Sequence, residues 1–313
     1  MKRALKIVGY LLTVACIVFL GRQFVNGFHA LPPLEWNARL VLIACFVVGL
    51  GVLTQFFGAV ILKVLLIGGQ VNLQLRDAFV LYGRSSIAKY LPGNIFHYVG
   101  RIVLGKAYGI APQAMAVCSI LEVLLAIAAA ALVTAPGVFL DWQLLAALGL
   151  DFSPKWLALG LACAISIILA GILHPRTRSW MGAQHAYLSP KRLAFAFVLN
   201  VADYIMLGIS LYLLQFLFVS EGAFLSWASL TWGFALAWAI GFVMPGAPGG
   251  VGVREFIAFA LFAPSIGGAS AASLFLGLRI LNIAGELVTF AIATGTAMLQ
   301  RKEKRTHDST NPV

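Results

Sequence analysis

Lys89-Tyr90-Leu91-Pro92-Gly93-Asn94-Ile95-Phe96-His97-Tyr98-Val99-Gly100-Arg101 interrupts an apolar region of the chain. A second interruption reads Met244-Pro245-Gly246-Ala247-Pro248-Gly249-Gly250-Val251-Gly252-Val253-Arg254-Glu255. Each copy has Pro-Gly, seven residues, then Arg, and the spacing between copies agrees at both ends (245 − 92 = 153; 254 − 101 = 153). Proline and glycine break a helix, and an arginine within apolar sequence demands compensation. Interrupted hydrophobic segments at matching places in two halves point to a transporter binding site.

The surrounding composition sets the solvent. Of 313 residues 61% are hydrophobic and only 11% charged, with a mean hydropathy of +0.94. Soluble domains are nearer 45–50% apolar, so the chain reads as a polytopic membrane protein. The net charge of +11 is scattered over segment ends, which argues for positive-inside bias and against nucleic-acid binding. Cys16, Cys45, Cys118 and Cys163 lie in apolar runs without metal-ligand spacing and read as small buried hydrophobes. Lys2, Arg3 and Lys6 precede an apolar run that no small-residue cleavage site ends, so it reads as a retained first helix.

A span needs about 20 apolar residues. Six such stretches occur, at 4–21, 38–60, 114–135, 156–173, 193–218 and 270–297. Regions 77–107 and 225–264 each read as a helix, a break and a short second helix (94–107 and 253–263), although 225–244 is long enough to cross alone. Shifted by the 153-residue offset, the first-half spans fall beside those of the second half. The expected fold is therefore an all-α polytopic membrane protein of two inverted repeats, about 1–145 and 153–300. Each would hold three spans and one re-entrant broken-helix hairpin. Residues 301–313 read as a disordered cytoplasmic tail.

Loop charge gives the orientation. Arg176, Arg178, Lys191 and Arg192 in 174–192, and Arg301, Lys302, Lys304 and Arg305 near the end, put these loops with the basic N-terminus in the cytoplasm. The acidic loops around Asp141, Asp151 and Glu221 then face outward.

A backbone break within a membrane is tolerated only inside protein or beside a water-filled cavity. Helices restarting after each break present N–H groups and a partial positive charge, which favour an anion such as phosphate. Substrate-binding candidates in the first copy are Lys89, Pro92, Gly93, Asn94, His97 and Arg101, of which Asn94, His97 and Arg101 share one helix face. Those in the second are Pro248, Gly249, Gly250, Gly252, Arg254 and Glu255. Arg279, Asn282 and Glu286 form a polar stripe at i, i+3 and i+7 in the last span. Glu122 and Asp203 are further intramembrane acids; either is a candidate ion relay, and either is a candidate partner for an arginine. Lys106 reads as a lipid-headgroup contact.

Gly100 to Lys106 has P-loop spacing, but Ala107 stands where the magnesium-binding Ser/Thr belongs and no strand precedes it. No zinc spacing, G-x-S-x-G setting or cofactor motif occurs, so neither an enzyme nor a cofactor is expected.

The stretches AKYLPGNIFHYVGR, PGAPGGVGVREFIAFALF and LGLRILN resemble the flippase-like family that includes the transmembrane domain of lysylphosphatidylglycerol synthases. The resemblance spans about residues 5–300. It implies an integral inner-membrane protein that translocates a lipid, either an anionic, aminoacylated phospholipid or a polyprenyl-phosphate-linked one. The family's PGG-x-G-x-R-E signature falls on Pro248, Gly249, Gly250, Gly252, Arg254 and Glu255, and its intramembrane arginine on Arg279. The soluble aminoacyl-transferase domain of the full synthases has no counterpart in these 313 residues. The alternative expectation is a non-transporting membrane partner that presents a lipid-linked substrate to a separate glycosyl- or aminoacyl-transferase.

Overall fold

In the computed structural model the described residues are 36–67, 71–90, 96–140, 160, 174, 189–219, 223–244 and 252–310. Among them the secondary structure is entirely helical. Four helices come from the first half: α1 (Ala38–Ile67), α2 (Leu75–Ser86), α3 (Phe96–Gly105) and α4 (Pro112–Leu140). Four come from the second: α5 (Pro190–Phe218), α6 (Trp227–Val243), α7 (Val253–Ile266) and α8 (Gly268–Thr310). The expected spans 4–21 and 156–173 lie outside the described residues.

Among the described residues four helices are long and apolar enough to cross a membrane: Ala38–Ile67, Pro112–Val138, Pro190–Phe218 and Gly268–Gln300. They carry large apolar side chains outward, with Leu42 69%, Val198 61% and Ile280 57% exposed. Such a surface suits hydrocarbon, where an exposed Leu costs nothing and an unsatisfied peptide group costs several kcal/mol. Cys118 is buried, whereas Cys45 sits on the outer face of α1, so it is not the buried hydrophobe its sequence suggested. Both are small apolar groups in apolar surroundings.

The interrupted regions form pairs of short helices. Helix α2 tightens into a 3-10 turn at Ile87–Tyr90, and α3 is a separate helix of 10 residues. Helix α6 is an apolar helix of 17 residues, about 26 Å long at about 1.5 Å per residue. The Ser226 hydroxyl, which accepts from Ser229 N–H at 3.0 Å, fixes its start.

Two helices run past prolines at which the sequence suggested a stop. Helix α4 continues through Pro136, and α7 continues through Pro264. Packed neighbours hold the backbone on either side of a missing N–H, so the helix survives the proline. Helix α8 likewise runs to Thr310, where a disordered tail was expected from residue 301. An established helix adds residues without a new nucleation step.

The packing has a regular plan. Helix α1 packs on α2 as α5 does on α6, and α2 on α3 as α6 on α7. Helix α3 packs on α4 as α7 does on α8. Across the centre, α4 meets α6 and α8 meets α2; α1 meets α8 and α5 meets α4; α1 and α5 meet each other. One apolar core lies mainly among α1, α2 and α4 around Leu62, Leu66 and Leu81. A second lies mainly among α5–α8 around Leu211, Phe262 and Phe275. Close approach within the first depends on Gly58, where a Cβ would stand 2.1 Å from Tyr82 Cζ.

Candidate functional site

Side chains from both sets of helices surround a cavity of about 270 Å³. Among its lining residues are Lys89, His97, Arg101, Glu122, Asp203, Arg254, Arg279, Asn282 and Glu286. The fold thus gathers polar residues that the sequence scatters over six helical segments. Pro92, Gly93, Asn94, Pro248, Gly249 and Gly250 lie outside the described residues.

Helix α3 explains how a charged face and an apolar one share ten residues. Phe96, Val99 and Val103 are exposed on its outer side, while His97 and Arg101 turn to the cavity. Arg101 is only 2% exposed. Its NH1 donates to Glu122 Oε2 at 2.5 Å, and its guanidinium lies 4.0 Å from the ring centroid of Tyr82 and 5.5 Å from that of Tyr98. Tyr82 in turn donates its hydroxyl to the other Glu122 oxygen at 3.0 Å. The ring faces attract the cation as the carboxylate does, so the guanidinium is desolvated without being isolated. The His97 ring lies against that of Tyr98, with centroids 3.8 Å apart and planes tilted by 42°.

The second cluster is built on the start of α7. Gly252 adopts φ 81°, a left-handed conformation that favours glycine, and its N–H donates to Glu255 Oε2 at 2.8 Å. The other Glu255 oxygen accepts from Arg254 NH2 at 3.0 Å and lies 3.7 Å from Arg279 NH1. Glu255 therefore caps the helix and braces two arginines, while Arg254 and Arg279 line the cavity and Gly252 and Glu255 stand behind them. Lys89, from the turn after α2, pairs with Glu286 on α8. Asn282, one turn from Glu286, faces α1 at Gly51. Lys106 is exposed, away from the cavity.

The charges at the cavity balance. Four cations (Lys89, Arg101, Arg254, Arg279) meet four acids (Glu122, Asp203, Glu255, Glu286), with Glu255 just behind the wall. Burying a lone charge costs too much, so each cation arrives with a carboxylate. Bonding capacity nevertheless remains. Among the described residues, buried Arg101 Nε, Arg254 Nε, His97 Nδ1 and Asp203 Oδ1 have no hydrogen-bond partner.

Several lining residues escaped the sequence reading. Tyr82 and Ser86 sit one turn apart on α2, and Ser86 donates to Gln55 on α1 at 3.2 Å. Asn200 and Tyr204 flank Asp203 on α5, and Tyr204 meets Trp238 edge-on at 5.6 Å. The signal was there as polar residues at helical spacing in apolar runs, but without formal charge it was overlooked.

Compared with protein-family models and with curated proteins, the chain matches none of them.

Proposed function

We propose that this protein is a lipid translocase, which carries the charged headgroup of a phospholipid or polyprenyl-phosphate lipid through the cavity while the tail stays in the bilayer. The observation that carries this reading is the cavity itself, in which four cations with three acids, Glu122, Asp203 and Glu286, face one space within apolar helices. Intramembrane charge at this density marks a pathway more readily than a scaffold. Its volume of about 270 Å³ suits a headgroup and is too small for a whole lipid.

The ion pairs act as place-holders. A phosphate entering the cavity takes N–H donors from Arg101, Arg254, Arg279 and Lys89, some from carboxylates and some unpartnered. Bidentate guanidinium–phosphate contacts replace guanidinium–carboxylate ones of similar strength. The headgroup is thus held without a deep energy well and can leave again.

Movement across the membrane follows from two inverted halves that rock about the site. The one-for-one correspondence between α1–α4 and α5–α8 in helix order and packing supports this repeat. Helices α2 and α3, about 18 and 15 Å long at about 1.5 Å per residue, support a hairpin that enters and returns on one side. The two glycine-rich motifs and Arg279 support membership of the flippase-like family, in a bacterial cytoplasmic membrane with both termini cytoplasmic.

Headgroup flipping in proteoliposomes tests the reading. Wild-type protein should accelerate it, and Arg254→Ala with Arg279→Ala should abolish the acceleration while the protein remains monodisperse. If the double variant flips lipid as fast as the wild type, the reading is wrong. Lipid that co-purifies but never flips would favour the substrate-presenting partner instead.

A further inference from the structure

The cavity contains one acid that its cations do not serve. Glu122 receives Arg101 and Tyr82, Glu255 receives Arg254 and Arg279, and Glu286 receives Lys89. Among the described residues, Asp203 takes part in no ion pair, and its buried Oδ1 has no hydrogen-bond partner. Another carboxylate, Glu122, lines the same cavity. So Arg101, itself 2% exposed, faces two acids across one small space.

The other neighbours do not relieve this. Of the helices packed on α5, α1 presents Thr54 and Gln55 and α6 presents Trp238, none of which titrates. Helix α4 presents Glu122, and α8 presents Arg279 with Glu286, already engaged with Glu255 and Lys89. Across the cavity stand Tyr82, His97, Tyr98 and Arg254, and on α5 itself Tyr204, which donates to Ala126 O at 3.2 Å.

We propose that Asp203 is the proton-binding site of this cavity, and that its proton travels in the same direction as an anionic headgroup. The step is one proton bound at the Asp203 carboxylate and one released. With the proton on, Asp203 is neutral, gains a donor, and leaves Arg101 and Glu122 balanced. With it off, Asp203 is a carboxylate with no cation paired to it, balanced only across the cavity by the arginines that share Glu255, an arrangement that a buried oxygen without a partner resists.

The coupling to the headgroup follows from the same geometry. A phosphate that draws Arg101 toward itself loosens Arg101 from Glu122. Glu122 then repels a negative Asp203 more strongly, so Asp203 holds its proton more tightly. By reciprocity the proton favours the phosphate equally. Proton and anion therefore load together and unload together, and a proton gradient can drive the cycle without a nucleotide. This inference rests on the translocase reading for its direction, but the proton site can be tested apart from it.

The probe is short-chain phosphatidylglycerol, whose phosphodiester does not itself titrate near neutral pH. Wild-type protein in detergent should bind it about fivefold or more tightly at acid than at alkaline pH, the low end of typical coupling. Asp203→Asn, which mimics the protonated group, should bind tightly at both, and Asp203→Glu should restore the dependence. Without any probe, infrared difference spectra between acid and alkaline pH should show a carboxylic-acid band that Asp203→Asn removes. An unchanged pH profile and unchanged band in Asp203→Asn overturn the proposal, as does a dependence that only His97→Gln abolishes. Dependence on sodium at fixed pH, instead of on protons, also overturns it. If the band behaves as expected but the probe never binds, the proton site stands and the translocase reading falls.

Discussion

Arg101 reaches from α3 to Glu122 on α4 with a 2.5 Å N–O contact, and the pair is buried against the ring of Tyr82. A buried ion pair of this kind contributes little net stability when intact and a great deal of damage when halved. Arg101→Leu or Glu122→Leu alone should therefore lower unfolding stability by about 3–5 kcal/mol. The double variant Arg101→Leu with Glu122→Leu should recover most of the loss. Thermal unfolding in detergent of the four proteins forms a double-mutant cycle, and additive losses would contradict the pairing.

Glu255 neutralises two arginines that face the cavity, and it caps Gly252. Glu255→Gln keeps the side-chain shape and removes the charge. Short-chain phosphatidylglycerol should bind it several-fold more tightly, since Arg254 and Arg279 lose their competing anion. Turnover should fall, because tighter ground-state binding deepens the well from which the headgroup must leave. Leaving two arginines without their carboxylate should also lower unfolding stability by about 3–5 kcal/mol. Isothermal titration and flipping rates on the same preparation check both effects, and weaker binding would count against a phosphate site here.

Gly58 leaves room for the Tyr82 ring. An alanine methyl 2.1 Å from Tyr82 Cζ forces the ring aside and pulls its hydroxyl from Glu122. Gly58→Ala should cost about 1–3 kcal/mol through overpacking and should slow flipping, although Gly58 does not itself line the cavity. Adding Tyr82→Ala should make the Gly58 change almost silent in unfolding experiments. An unchanged cost in the Tyr82→Ala background would show that the clash lies elsewhere.

Gln215, fully buried at the end of α5, donates to Leu225 O at 3.1 Å and accepts from Leu225 N at 3.0 Å. It ties the α5–α6 connection to the helix much as a paired strand would. Gln215→Leu leaves both backbone groups without a partner, at about 1–3 kcal/mol for each. Amide hydrogen exchange at Leu225 should rise strongly, and protection at Leu211 in the core should fall less. Uniform loss of protection would mean that the residue supports the whole fold.

Composition and spacing alone determine that this chain is helical and apolar, that its apolar sequence is interrupted at two matching Pro-Gly pairs, and that His97, Arg101, Arg254, Arg279, Asn282 and Glu286 are anomalies in their surroundings. These are local properties: hydropathy over some twenty residues, the turn period, and the rigidity of proline. Which charges meet is not local. Lys89 and Glu286 pair across 197 positions, and Arg101 chooses Glu122 over Asp203 only because α3 packs on α4 with Tyr82 beside it. An apolar helix presents nearly the same surface all round, so its sequence does not say which face turns inward. Packing decides that, and it brings the charges together as a set of pairs with one acid, Asp203, left over.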